Sequence, residues 1–143
     1  MAAELLDAYG IVVRGTEPGP GPDAFLSVSA DPVFGPVVAF GLTGDYADLM
    51  ADVAHRVTPL SDRDAREMVR SLRATPLLES RGVELAALEE IVLRISAMVE
   101  DLPEIEALEL RPVRLLPPGD GVAVAHATIR LADSPTGAGG GPS

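Results

Sequence analysis

Between residues 85 and 99, apolar side chains return every three or four positions: Leu85, Leu88, Ile91, Val92, Ile95, Met98 and Val99. Only an α-helix gathers that spacing onto one face, and Glu84, Glu89, Glu90, Arg94 and Glu100 supply a solvated opposite face. A stripe of this kind needs a second apolar surface to cover it. The neighbouring sequence supplies strands for that purpose. Residues 24–30 (AFLSVSA) alternate apolar and small polar side chains, and 37–40 (VVAF) form a short apolar run. Residues 105–116 (IEALELRPVRLL) and 122–132 (VAVAHATIRLA) flank the turn residues PPGDG, which predicts a β-hairpin. A second helix follows Ser61, where Ser61 and Asp64 make a capping box with aspartate in the acidic position. Its apolar face is Ala65, Met68, Val69 and Leu72. Strands, two helices and then a hairpin predict an α+β fold, a sheet carrying its helices on one face.

The rest of the chain is short elements and punctuation, as 13 prolines and 14 glycines require. Residues 2–9 (AAELLDAY) predict a short helix stopped by Gly10, and 11–13 (IVV) a strand. Residues 16–22 (TEPGPGP) form a breaker run, hence a loop. Asp31-Pro32 and Gly35-Pro36 mark turns, 45–53 a short helix and 56–60 an extended segment. At 143 residues the chain suits one domain, built from aliphatic side chains because aromatics are only 3%. Residues 134–143 (SPTGAGGGPS) lack apolar periodicity, so 133–143 is expected to be a disordered tail after a domain at 1–132.

A net charge of −11 repels polyanions and anionic lipid, which argues against nucleic-acid or membrane partners. Cysteine is absent, removing thiolate nucleophiles and cysteine-based zinc sites. The first residues lack a basic segment ahead of an apolar run, and no window reaches membrane-spanning length, so a cytoplasmic location is expected. All 11 basic residues are arginine, and lysine, asparagine and glutamine do not occur, a bias of the kind GC-rich codon usage produces. Whatever its origin, no lysine is present to hold a phosphate or form a Schiff base, and no asparagine to ligate a metal.

Few constellations carry chemistry. Gly41-Leu42-Thr43-Gly44 has glycines spaced for a concave loop with amides turned toward an anion. It has neither a P-loop lysine nor the GxGxxG pattern, so a structural loop is the preferred reading of the residues alone. His55 and His126 lack partners at ligand spacing and read as structural or surface side chains. Strand parity places Glu104 and Glu106 on one face and Glu109 on the other, beside Arg111. Glu109 has the chemistry of a magnesium ligand, but a guanidinium two residues on favours an ion pair.

The ordered motifs from Asp31 to Gly82 resemble the ATP-grasp region of NDP-forming acyl-CoA synthetases, including those fused to GNAT-type protein acetyltransferases. Asp31, Pro32, Phe34, Gly35 and Pro36 match a DPxFGP turn, and Gly41 and Gly44 a glycine-rich segment. Arg56 ahead of Pro59-Leu60 and Arg81-Gly82 after Pro76-Leu77-Leu78 match the later landmarks, and the likeness runs to about residue 131. AAELLDAYGIVV is similar to the opening helix and strand of the same region. The resemblance implies an ATP-grasp-like carboxy-terminal lobe at 23–132, with a mixed or antiparallel sheet. It also implies an amino-terminal remnant at 1–15, joined by a linker at 16–22 where the nucleotide-covering lobe and its lysine are missing.

It further implies ATP or ADP with magnesium as the ligand, and nucleotide-contacting positions at Asp23, Gly41, Gly44, Arg56, Arg81 and Glu109, with Glu109 also the metal position. Several of these are altered. Thr43 stands inside the glycine segment, and the family's ExDxNP pattern reads Ala107-Leu108-Glu109-Leu110-Arg111-Pro112. The family's DAR reads His126-Ala127-Thr128, and Asp23 stands where the family has glutamate. The implied function is a degenerate accessory or binding module, non-catalytic alone. The alternative is one part of an acid–CoA ligase completed by a partner that carries the CoA-binding subunit or the missing lobe.

Overall fold

The computed structural model describes residues 2–14, 23–43, 53–116 and 121–132. The expected linker at 16–22, nearly all of the helix at 45–53, Gly44 and the tail at 133–143 lie outside them. The order is α1 (Ala2–Ala8), β1 (Asp23–Asp31), β2 (Gly35–Leu42), β3 (Val53–Val57), α2 (Asp62–Arg70), α3 (Thr75–Ser80), α4 (Leu85–Asp101), β4 (Ile105–Leu115), β5 (Val122–Val124) and β6 (Ala127–Leu131).

The sheet runs β3-β2-β1-β4-β5, with β6 also on β4, and every strand pairing is antiparallel. Alternation along β1 sends Ala24, Leu26 and Val28 to one face, where Val38, Phe40, Leu108 and Leu110 join them out of solvent. Helices α2 and α4 cover that face with Met68, Val69, Leu88, Val92, Ile95 and Met98, all fully buried. The α+β expectation and the one-sided helix layer therefore hold. Polar contacts fix the layer: Thr58 donates its hydroxyl to Glu100 at 2.7 Å, the Leu60 amide donates to the Ser96 hydroxyl at 2.9 Å, and Arg70 pairs with Glu89 at 2.9 Å.

Local chemistry explains the element ends. Ser61 accepts the Asp64 amide at 3.1 Å while the Asp64 carboxylate accepts the Ser61 amide at 3.0 Å. That amide holds the Asp64 carboxyl below its ordinary value, helped by the Ser61 hydroxyl. Ser61→Ala is expected to cost about 1 kcal/mol through the lost cap, read as a lowered urea midpoint. The six-residue α3 has too little periodicity to read from sequence, yet Pro76 presets its first turn. It ends in a Schellman arrangement: Gly82 at φ +77 donates to Glu79, and Val83 donates back to Leu78.

Three sequence expectations change. The segment 11–13 contributes a single bridge, Val13 to Val124, rather than a strand. The second arm of the hairpin is two strands, interrupted at Ala125-His126 opposite Arg111-Pro112. Val53, expected at a helix end, opens β3, so the extended segment begins earlier than residue 56.

Candidate functional site

The sheet face away from the helices carries the chemistry. Along β1, Asp23, Phe25 and Ser27 alternate with the buried residues and so share this open face. Asp23 and two of the cross-strand neighbours, Gly41 and Glu109, belong to the expected site. Asp23 lies across from Arg114, Phe25 across from Gly41, and Ser27 across from Glu109. Asp23, Gly41 and Glu109 therefore fall in one strip spanning roughly 13 Å, at about 3.3 Å per strand residue.

A β-bulge shapes the middle of the strip. Leu26 pairs with Leu110 and Ala24 with Val113, so two residues, Arg111 and Pro112, face Phe25 alone. The bulge also accommodates a proline inside the strand. It sets the Arg111 guanidinium over the Phe25 ring, 4.9 Å from its centroid. The same guanidinium lies 3.6 Å from the Glu109 carboxylate, both side chains about half exposed.

At the end of the strip, Arg114 Nη1 donates to both Asp23 oxygens at 3.2 Å, and its side chain is only 9% exposed. Thr43 closes this corner, its amide donating to the Asp23 carbonyl at 2.9 Å. At the opposite end, Arg130 pairs with Glu106 at 3.0 Å. Parity from sequence separates Glu106 from Glu109, but a register shift between Ile105 and Ala107 breaks that alternation and brings Glu106 to Arg130, beside Glu109's cross-strand partner Thr128. Every acid in the strip thus has its own guanidinium.

Arg56 does not join this strip, and the Arg81 backbone belongs to the end of α3. Val38, the register partner of Arg56, is fully buried under the helices, so Arg56 emerges on the helix side. There it donates to its neighbour's carbonyl, that of His55, at 2.7 Å, and its charge contributes to lowering the Asp64 carboxyl. Arg81 caps α3, its amide donating to the Leu77 and Leu78 carbonyls. Gly44 lies outside the described residues. His55 stands exposed on β3, and the His126 carbonyl accepts the Arg111 amide at 3.1 Å.

Three participants escaped sequence reasoning: Phe25, Arg114 and Arg130. The usable signal was an arginine between Val113 and Leu115 in an apolar strand, since an arginine so placed needs a carboxylate nearby.

Glu109 is one carboxylate with a guanidinium 3.6 Å away, and the described residues contain no group of three His, Cys, Asp or Glu side chains able to hold a metal by themselves, so a magnesium ion at Glu109 would depend on phosphate oxygens for its other ligands.

The family description "ATP-grasp domain" matches residues 4–131. The chain belongs to the ATP-grasp domain family. Among curated relatives, this ATP-grasp chain is 38% identical over 117 residues to the acetate–CoA ligase (ADP-forming) II subunit beta of Pyrococcus furiosus, covering 78% of itself and 50% of that protein. It is 30% identical over 115 residues to the 4-hydroxybutyrate–CoA ligase (ADP-forming) of Nitrosopumilus maritimus, covering 78% of itself and 16% of that protein. Among solved structures, it superimposes with a TM-score of 0.70 and 33% identity on an acetyl-coenzyme A synthetase of Ca. Korarchaeum cryptofilum in complex with coenzyme A and Mg-AMPPCP, over 80% of this chain and 55% of that one. The chain spans about half the length of the beta subunits it matches. Among the described residues, no helix is long and apolar enough to cross a membrane.

Proposed function

We propose that this ATP-grasp domain is an accessory or binding module related to the ADP-forming acyl-CoA synthetases and has no phosphoryl-transfer activity by itself. The observation that carries this reading is the charge pairing on the open face. Asp23 is committed to Arg114 at 3.2 Å, and Glu109 has Arg111 at 3.6 Å. Phosphoryl transfer rests on metal ions and cations positioned around the transferring group. Here the expected metal carboxylate has a guanidinium beside it, and the 143 residues include no lysine.

The test is turnover. The chain alone, given Mg-ATP, acetate and coenzyme A, is expected to release no ADP above background, and coenzyme-A-dependent ADP release would overturn the reading.

A second reading is favoured by one observation, the likeness to proteins named as beta subunits over half their length. In it, the chain is a component of an acid–CoA ligase (ATP, acid and coenzyme A giving acyl-CoA, ADP and phosphate), completed by a partner with the CoA-binding domain or the absent lobe. Co-purification with such a chain and restored ADP release would establish it. Failure of both would remove it.

A further inference from the structure

We propose that β3 is a self-pairing edge: two copies of this chain join their β3 strands antiparallel about a two-fold axis at His55, forming a weak homodimer. The proposal goes beyond the reading of the open face and holds whether the module is accessory or part of a ligase. Among the described residues β3 has a strand on one side only, β2, and so ends the six-stranded sheet. The direction of its free backbone groups follows from the register. The Thr58 amide donates to the Pro36 carbonyl at 3.0 Å, one step beyond the Val57–Val37 pair. Antiparallel bonding alternates, so Arg56 and Ala54 also turn their backbone groups to β2, and Val53, His55 and Val57 turn theirs outward. The Arg56 guanidinium reaches one of these outward groups, donating to the His55 carbonyl at 2.7 Å.

An edge of this kind recruits another strand. The sequence Val53-Ala54-His55-Arg56-Val57 is symmetric at its centre and its ends. An antiparallel second copy centred on His55 therefore sets Val53 opposite Val57 of the second copy, and His55 opposite its own equivalent. These are the residues whose backbone groups point outward, so each such pair exchanges two hydrogen bonds. Centring on Ala54 or Arg56 instead leaves one of the three outward residues without a partner. Val53, His55 and Val57 lie across from Gly41, Ala39 and Val37, with side chains on the open face, and both valines are exposed in the single chain. The dimer covers each valine with one from the other copy.

Charge favours the same place. Two chains of net charge −11 repel each other over most of their surface, but β3 contains an arginine and no acid. The Asp64 carboxylate is offset by Arg56, and each Arg56 faces Ala54 of the second copy rather than another arginine. A contact between two five-residue strands falls below the roughly 1,200 Å² of a standard interface. The Arg56–His55 bond must also be exchanged, so the dimer is weak and reversible.

The absence of cysteine from the 143 residues makes the register directly testable. Opposed residues in a hydrogen-bonded antiparallel pair have Cα atoms about 5.5 Å apart, within disulfide reach. His55→Cys treated with oxidised glutathione is expected to form a covalent dimer. Val53→Cys and Val57→Cys are each expected to stay monomeric, since like positions lie roughly 13 Å or more apart, whereas an equal mixture of the two cross-links. In sedimentation velocity, the average mass of the natural chain is expected to rise toward that of two chains between micromolar and millimolar concentration. His55→Pro removes an outward N–H that β2 does not use. The two-fold axis doubles that loss, so association is expected to weaken at least about tenfold. Thermal melts verify that the variants fold, and if the proline variant does not, the cysteine variants still decide. A chain that stays monomeric at millimolar concentration overturns the proposal and leaves the edge to a strand of a different protein. Equal cross-linking at all three positions, none at His55→Cys, or association unchanged by His55→Pro in a folded variant also overturns it. None of these outcomes bears on ADP release, so the accessory reading stands or falls separately.

Discussion

Phe40→Ala is expected to destabilise the chain by about 3–5 kcal/mol, whereas Phe34→Ala costs less than about 0.5 kcal/mol. Both residues lie in the β1–β2 hairpin and only six positions separate them. Phe40 is fully buried at the centre of the sheet, paired in register with Leu26 and Ala54 beneath the helix layer. Its truncation empties a large volume in a core with few other aromatics, and the surrounding aliphatic side chains collapse only partly into it. Phe34 sits 66% exposed in the turn, whose shape comes from the Asp31 carboxylate accepting the Val33 and Phe34 amides at 2.8 and 2.9 Å. Those amides also hold the Asp31 carboxyl below its ordinary value. Urea unfolding of the two variants checks the contrast. Similar losses from both would contradict the placement of the hairpin tip in solvent.

Asp23→Ala carries the second largest effect, a loss of about 2–3 kcal/mol by analogy with broken buried ion pairs. The figure sits below the fully buried range because the Asp23 side chain is 25% exposed. Arg114 is the deeper partner, and it loses two charge-assisted contacts at 3.2 Å at a place water scarcely reaches. Arg114→Met is expected to cost clearly less, since a thioether of similar length fills the space and leaves only the more accessible carboxylate behind. Denaturant midpoints for the two variants give the comparison. A larger loss from Arg114→Met would mean that the arginine's packing, rather than its pairing, holds this corner.

The elements most legible in the sequence were those whose evidence is local. The stripe from Leu85 to Val99 and the Ser61–Asp64 box depend on contacts within a few residues, so periodicity and capping chemistry specify them. The turn between β1 and β2 was legible because Asp31, Pro32 and Gly35 encode it within one short stretch, though the pairing of the two strands was not read from it. The short α3 was not, because six residues hold less than two turns of pattern. Gly82 and its Schellman bonds give the Arg81-Gly82 landmark a local role in terminating α3.

The candidate site was legible as residue types and illegible as an arrangement. Asp23, Gly41 and Glu109 could be named from motifs, but their meeting depends on pairings between residues up to about ninety positions apart, which no local pattern encodes. Two register shifts on β4 decide the outcome. One places Arg111 over Phe25, and the other brings Glu106 to Arg130 against the parity of the sequence. Arg56 shows the converse: its motif suggested the site, and strand alternation against the buried Val38 sends it to the helices.

By itself the sequence determined the α+β class, the helix faces, the turns and the family, because each is written in spacing or in short motifs. The Glu109–Arg111 pair was also written in spacing along one strand, whereas only the tertiary structure decided the pairs Asp23–Arg114 and Glu106–Arg130. Those two pairs depend on distance across strands, and that distance is fixed by register and by the bulge at Arg111-Pro112 rather than by position along the chain.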